Sequence, residues 1–364
     1  MLFYFFSFSF IIKVGEFMKK LAIFQSDLNI GGIQKSCVNF VNNIDHKKYE
    51  VDLYLVEKEN IFLKDINSNI NIKYIKKLPY FTKMIPFSIL KIFYKPKINT
   101  VYDTVIDFNS YSNETALSAI KTNSKTKIMW VHNDVEIKIK EEFRYRILHF
   151  LFKSKYRHFD KFIAVSSGAL DSFTKVNKIK NKKTDIIPNF IDTNEIRQKV
   201  DAEKPIEIDK NKINICSIGR LVHQKGFDIL IEKINEIQEE LNDFHFYIIG
   251  DGKLFNEINL KIKEYNLENL VTMTGFLSNP YPTLNEMDAF ILLSRYEGQG
   301  MVFLEALALG LDVIMPKHLE KYVDNEISGS EGIKSSILNL KKHKHKFNGL
   351  EKYNSNIKKK INNL

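Results

Sequence analysis

The sequence is poor in the features that would staple, anchor or metallate it. Two cysteines, Cys37 and Cys216, occur in 364 residues. They fall in different halves and outside any metal-ligand spacing. That excludes a disulfide framework and a cysteine-built zinc module, and predicts two ordinary reduced thiols. No apolar run approaches the roughly 20 residues of a membrane span. The opening "MLFYFFSFSFIIKVGEF" has neither the basic start nor the small-residue cleavage site of a signal peptide. A second start, "MKKLAIFQS" at Met18, leads straight into a strand pattern. Residues 1–17 are therefore expected to be an over-called start or a short apolar appendage outside the fold. No Asp-x-Asp metal site, no nucleic-acid-binding motif and no internal repeat is evident. His343 and His345 form a pair, but in a polar basic tail they read as solvated.

The formal charge is +10, in a chain rich in Lys, Asn, Ile, Phe and Tyr. That usage looks like the coding bias of an AT-rich genome, so the charge is weak evidence for a polyanionic partner. Basic segments interleaved with aromatics are present, and they suit a membrane surface. An apolar share of 44% indicates a globular chain long enough for two domains.

From Met18 the chain alternates strand and helix patterns. "LAIFQS", "VDLYLV", "TVIDF", "KIMWVH" and "KFIAVS" read as strands, with helical stretches such as "GIQKSCVNFVNNI" between them. Alternation of this kind predicts a parallel sheet. It breaks at residues 188–212, a charged stretch of little periodicity that reads as a linker. A second series follows: "INICSIG", "FHFYIIG", "LVTMTGF", "AFILLS" and "DVIM" are strands separated by helices. The expected organisation is an extension at 1–17, a first α/β domain at 18–187, the linker at 188–212, a second α/β domain at 213–330, and a basic tail or surface helix with a frayed end at 331–364.

Within "YEGQGMVFLEALALG", Glu297 and Glu305 stand eight positions apart with Gly298 and Gly300 between them. Glycine followed by apolar helix formers reads as a loop opening a helix, with Glu297 in the loop and Glu305 about two turns in. Buried parallel strands on both sides put that loop at the carboxyl edge of a sheet, where open α/β folds bind ligands. A carboxylate there accepts hydrogen bonds from sugar or ribose hydroxyls, and the free amides of the helix start face anionic oxygens. The bland alternative is a helix-start carboxylate and a solvated face residue. In "GRLVHQKGFD", Arg220 follows a strand end and Lys225 enters the next helix. An arginine fork and a lysine point charge can hold a diphosphate without a metal. Two solvated cations are the alternative. In "SDLNIGGIQKS", Gly31 and Gly32 allow close backbone approach at a helix start, although Gly-Gly is also a common turn. His132 of "WVHND" lies at a strand end on the same edge, where a satisfied polar residue is equally expected. Asp134 can cap the helix that follows.

In this order the motifs resemble the retaining GT-B-fold glycosyltransferases of family 4. "IGRLVHQKG" matches that family's Gly-Arg…Lys-Gly segment and "EGQGMVFLE" its Glu-x7-Glu motif. "IIPNFID" is similar to its hinge "IPNGVD", "IIGDG" to its Gly-Asp-Gly turn, and "GGIQ" to the glycine loop of its first domain. The resemblance covers roughly residues 18 to 330. It implies two Rossmann-like parallel-sheet domains facing across a cleft, with a nucleotide sugar held mainly by the second. It gives Arg220 and Lys225 the diphosphate, Glu305 the ribose, Glu297 the transferred sugar, and His132 a contact near the reacting carbon. Gly31 and Gly32 would close on the phosphates. Gly219, Gly250, Gly298, Gln299, Gly300 and Met301 would complete the donor site. The implied reaction needs no metal or cofactor. Its donor would be a UDP-sugar ahead of a GDP-sugar, and its acceptor a glycan or lipid-linked sugar at the inner face of the cytoplasmic membrane, in capsule or lipopolysaccharide synthesis.

The sequence departs from the pattern at Gln299, where an aromatic or aliphatic residue is usual, at Phe190 in place of the hinge glycine, and after "DVIM", where "PKHLEKYVDNEISG" replaces a Gly-Gly…Glu segment. Two other functions keep the fold. One is a catalytically silent subunit that binds glycan or a partner. The other is a sugar-nucleotide epimerase or polyol-phosphate transferase. Intact Arg220, Lys225, Glu297 and Glu305 argue against the first and the Glu-x7-Glu spacing against the second.

Overall fold

The computed structural model of the protein describes residues 18–29, 31–323, 327–342 and 346–364. The extension at 1–17 and the His343–His345 pair lie outside the described residues.

Two parallel sheets carry the chain. The first is built from β1 (Lys19–Gln25), β2 (Tyr49–Leu55), β3 (Ile70–Tyr74), β4 (Tyr102–Asp107), β5 (Ser124–Val131), β6 (Lys161–Ala164) and β7 (Lys183–Ile186) in the order β3-β2-β1-β4-β5-β6-β7. The second contains β8 (Ile213–Ile218), β9 (Phe244–Ile249), β10 (Val271–Gly275), β11 (Ala289–Ile291) and β12 (Asp312–Ile314) in the order β10-β9-β8-β11-β12. This is the expected α/β architecture of two Rossmann-like domains. The central strands β1 and β8 are buried along most of their length, as their unbroken apolar runs require.

Strand order reverses beside the first strand of each sheet, between β1 and β4 and between β8 and β11. At such a switch point neighbouring loops splay apart and leave a crevice at the carboxyl edge. Residues 26–32 follow β1, His132 follows β5, the Gly219–Lys225 loop follows β8, and the Glu297 loop follows β11. The order of the strands thus collects every expected site segment at two facing edges.

Two strands escaped sequence reading. β3 (INIKY) and β7 (KTDI) are sheet edges, largely polar and only partly buried. Their backbones complete the ladders with Leu53↔Ile72 and Ile163↔Asp185, while their side chains need no apolar period.

The linker is more regular than its composition suggests. Helix Thr193–Val200 forms there, capped by the Asp192 carboxylate, which accepts from the Glu195 amide at 2.9 Å. The C-terminal tail carries the expected helix but not the expected frayed end. Its last segment is a helix, Glu351–Ile361, that buries Tyr353, Ile357 and Ile361 rather than fraying. Burial of each such side chain contributes about 1.5–3 kcal/mol, enough to hold a helix rich in lysine on its other face. The helix returns to the first domain, where Lys48 Nζ donates to the Asn362 carbonyl at 2.6 Å and Tyr49 donates to that of Leu364 at 3.0 Å.

Candidate active site

The second domain supplies an ion pair at its carboxyl edge. The Glu297 loop leaves β11 through Ser294, and the Glu297 carboxylate is only 4% exposed. Lys225 Nζ lies 2.8 Å from Glu297 Oε1, and Ser294 Oγ donates to the same oxygen at 2.6 Å. Oε2 takes no hydrogen bond among the described residues. Lys225 and Glu297, expected on neighbouring loops, are therefore in direct contact. Ser294, which ends the quoted motif "AFILLS", fixes the carboxylate and was missed because a serine at a strand end has no distinctive spacing.

Gly300 holds φ 68° and caps helix Met301–Ala308, a left-handed conformation that a side chain would strain. Half-buried Met301 opens that helix, whose start has no side-chain cap. Two turns on, half-buried Glu305 is paired with the Tyr281 hydroxyl. Burial holds the Glu305 carboxyl above its ordinary value, while Lys35, from the helix behind the first domain's glycine loop, pulls it back. Lys35 itself pairs with Glu195 of the linker helix. Arg220 stands exposed past the end of β8, without an ion pair among the described residues. Gly219 and Gly250 close the bottom of this edge, with Gly250 donating its amide to the Gly275 carbonyl at 2.8 Å.

The first domain meets this edge directly. A β-carbon built on Gly298 would lie 1.9 Å from the backbone oxygen of His132, so only glycine fits between the domains there. Ser166 Oγ donates to the Gly298 carbonyl at 2.5 Å. Tyr322 donates to Asp134 Oδ2 at 2.7 Å, while Asp134 Oδ1 caps helix Val135–Glu141 through the Ile137 amide at 2.9 Å, as the sequence suggests. At Gly32 a β-carbon would meet nothing within 4 Å, and at Gly31 only the end of the Gln34 side chain. Gly32 is thus exposed, while half-buried Gly31 lies against the Gln34 side chain.

Gln299 turns elsewhere. Its side-chain oxygen accepts from the Asn189 amide and its nitrogen donates to Tyr353, each at 2.5 Å. The departure from the expected apolar residue is thus tied to the hinge and the C-terminal helix. Phe190, the other departure, is buried beneath Lys358, whose ammonium lies 5.2 Å from the ring centre. A groove of about 710 Å³ lined by Asp45, Lys48, Phe190, Asn354 and Lys358 follows this seam and includes none of the cleft residues.

His132 is 6% exposed, packed against Phe108 with tilted rings 4.6 Å apart, and its Nε2 has no partner among the described residues. Burial lowers its pKa from 6.5 to about 3, so the ring is neutral at physiological pH. A histidine depressed in the folded state adds stability above pH 6.5 that is lost as pH falls towards 3. At pH 5 that loss is roughly 2 kcal/mol relative to pH 8. His149 and His158, each lowered to about 4 with burial the first cause, add to the slope. Urea titrations at pH 5 and pH 8 should show His132→Gln losing less stability on acidification than the parent. An unchanged difference would exclude His132 as a contributor.

Both cysteine thiols are buried and pushed up by desolvation, as inert core thiols are.

Two family models fit the two halves of the chain. Glycosyltransferase Family 4 matches residues 30–195, and Glycosyl transferases group 1 matches residues 198–332. The chain is 30% identical to the N-acetylgalactosamine-N,N'-diacetylbacillosaminyl-diphospho-undecaprenol 4-alpha-N-acetylgalactosaminyltransferase of Campylobacter jejuni, over 88% of this chain and 90% of that protein. The chain belongs to the family 4 glycosyltransferases. An uncharacterized glycosyltransferase of Methanocaldococcus jannaschii is 31% identical to this glycosyltransferase over 63% of the chain and 60% of that protein. Among solved structures, Anabaena Alr3699/HepE in complex with UDP-glucose shares the fold, with a TM-score of 0.65 at 15% identity over 95% of this chain and 100% of that one. The expected GT-B architecture and glycosyltransferase activity are therefore those of the family.

Proposed function

We propose that the glycosyltransferase moves a sugar from a UDP-sugar to a lipid-linked acceptor, retaining anomeric configuration as the family does, without a metal. The observation that carries this reading is the Lys225–Glu297 pair seated where Gly298 touches His132, so that donor-binding groups of one domain meet the other. Glu297 Oε2 is left for a hydroxyl of the transferred sugar, and Glu305 for the ribose. Arg220 and Lys225 neutralise the leaving diphosphate. The acceptor hydroxyl attacks on the face the diphosphate leaves, so no protein nucleophile is assigned. The relative from Campylobacter, named for transfer onto a diphospho-undecaprenol glycan, supports a lipid-linked acceptor. A thermal-shift panel of UDP- and GDP-sugars in EDTA tests the donor side, because a ligand bound by the native state alone raises the melting point. UDP-sugars should stabilise the protein, and Glu305→Gln should weaken that effect. Stabilisation that requires added metal, or by GDP-sugars alone, would contradict the reading.

For the acceptor side, we propose that the first domain docks on an anionic membrane surface. No helix among the described residues is long and apolar enough to cross a membrane. Of the aromatics in 75–97 and 143–159, Phe87, Tyr94 and Phe152 fill a core, but Phe81, Phe93, Phe143 and Phe150 are 68–79% exposed. Arg144 Nη2 donates to Tyr80 at 2.8 Å and joins the two segments into one face. Exposed Lys83, Lys95, Lys97, Arg146, Lys153 and Arg157 belong to the same two segments, whereas Lys155 is buried on the Ser110 carbonyl. Each cation near anionic lipid adds about 1 kcal/mol, and the rings supply apolar contact. Sedimentation with anionic vesicles should be strong at low salt, fade at high salt, and drop in Phe93→Ser/Phe150→Ser. A chain beginning at Met18 that ignores such vesicles at low salt would point to a soluble acceptor.

A further inference from the structure

Beside the Arg220 loop, helix Val135–Glu141 of the first domain carries a lysine that the donor site does not use. The Lys138 side chain is 19% exposed, and its ammonium lies 4.5 Å from the Tyr111 ring centre and 5.0 Å from that of Tyr145. Among the described residues it has no hydrogen-bond acceptor. Its one carboxylate neighbour, Glu142, is 4.0 Å away and is already engaged by the Tyr296 hydroxyl at 2.9 Å. That Tyr296–Glu142 bond, with His223 Nδ1 3.5 Å from Glu141 Oε2, fixes this end of the helix against the Arg220 loop of the second domain. Burial first, and the charge of Arg220 as well, lower the Lys138 ammonium from its usual range against the pull of Glu142.

A mostly buried ammonium whose ion-pair partner among the described residues is one carboxylate at 4.0 Å, shared with Tyr296, keeps donors free for a further anion. The two tyrosine rings contact the ammonium, but no hydrogen bond to either satisfies its three donors. We propose that Lys138 binds phosphate oxygens in the cleft, acting from the first domain together with Arg220 of the second. The ligand is a diphosphate ester. It is either the nucleoside diphosphate of the donor or the diphosphate of a lipid-linked acceptor. This inference rests on the proposed reaction for its ligands, but binding decides it without turnover.

Titration calorimetry on the full chain, with UDP and with farnesyl diphosphate, tests the site in the parent, Lys138→Met and Lys138→Arg. The methionine keeps the stem between the two rings. Lys138→Gln serves if that variant melts early. Loss of one charge-assisted phosphate contact should weaken binding about tenfold, and arginine should keep most of it. A loss confined to UDP assigns the donor diphosphate, and a loss confined to farnesyl diphosphate assigns the acceptor. Unchanged affinity for both ligands in Lys138→Met overturns the proposal. A parent that binds no UDP contradicts the proposed reaction, while the farnesyl diphosphate arm still decides Lys138.

Discussion

Gly298→Ala should reduce sugar transfer by at least about 100-fold while leaving both domains folded. The β-carbon would stand 1.9 Å from the His132 carbonyl oxygen. Carbon and oxygen rest at roughly 3.3 Å or more, so the domains must separate there by over an ångström. Neither side can yield locally. Gly298 is held by Ser166 at 2.5 Å, and His132 is packed on Phe108. Separation by that distance displaces the first domain from a donor seated, as proposed, on the second. An error of that size costs on the order of 100-fold in rate when reacting groups must be aligned. Nucleotide affinity should change only a few-fold, since Arg220, Lys225 and Glu305 all stay in the second domain. Steady-state transfer and nucleotide titration on the same sample check the division. Activity near the parental level would show that the contact with His132 is dispensable in turnover.

Lys225→Ala should cut activity at least tenfold and also destabilise the second domain. Its partner Glu297 is 4% exposed and loses its cation, which costs about 3–5 kcal/mol when the charge left behind is buried. The partial exposure of Lys225 and the Ser294 bond place the expected effect at the low end. Adding Glu297→Gln to Lys225→Ala removes the stranded charge. The double variant should regain most of the stability and none of the activity. Equal recovery of both would mean that the pair serves folding alone.

The ten strands named from short apolar runs bounded by turn signals are all present, the partly exposed edge strands β10 and β12 included. β3 and β7 left none, since polar residues interrupt both strands and their pairing rests on backbone bonds. The tail misled for a related reason. Tyr353, Ile357 and Ile361 are spaced for one helix face, but lysines and asparagines between them hide it. The loops that carry the candidate site were legible wherever a motif occupied one loop. Contacts between loops were not: nothing in the spacing ties Lys225 to Glu297, Gln299 to Asn189, or Gly298 to His132. Gln299 is the clearest case. Read along the chain it is an odd residue in a sugar site, and in the fold it bolts the hinge to the C-terminal helix.

The most direct test of the account is proton NMR of the product as it forms from an α-linked UDP-sugar and an acceptor diphosphate, in EDTA, with parent and Glu297→Gln compared. The account predicts UDP release coupled to an α-linked product by the parent, and turnover lost in Glu297→Gln with UDP still bound. A β-linked product, dependence on added metal, or full turnover in Glu297→Gln would contradict it.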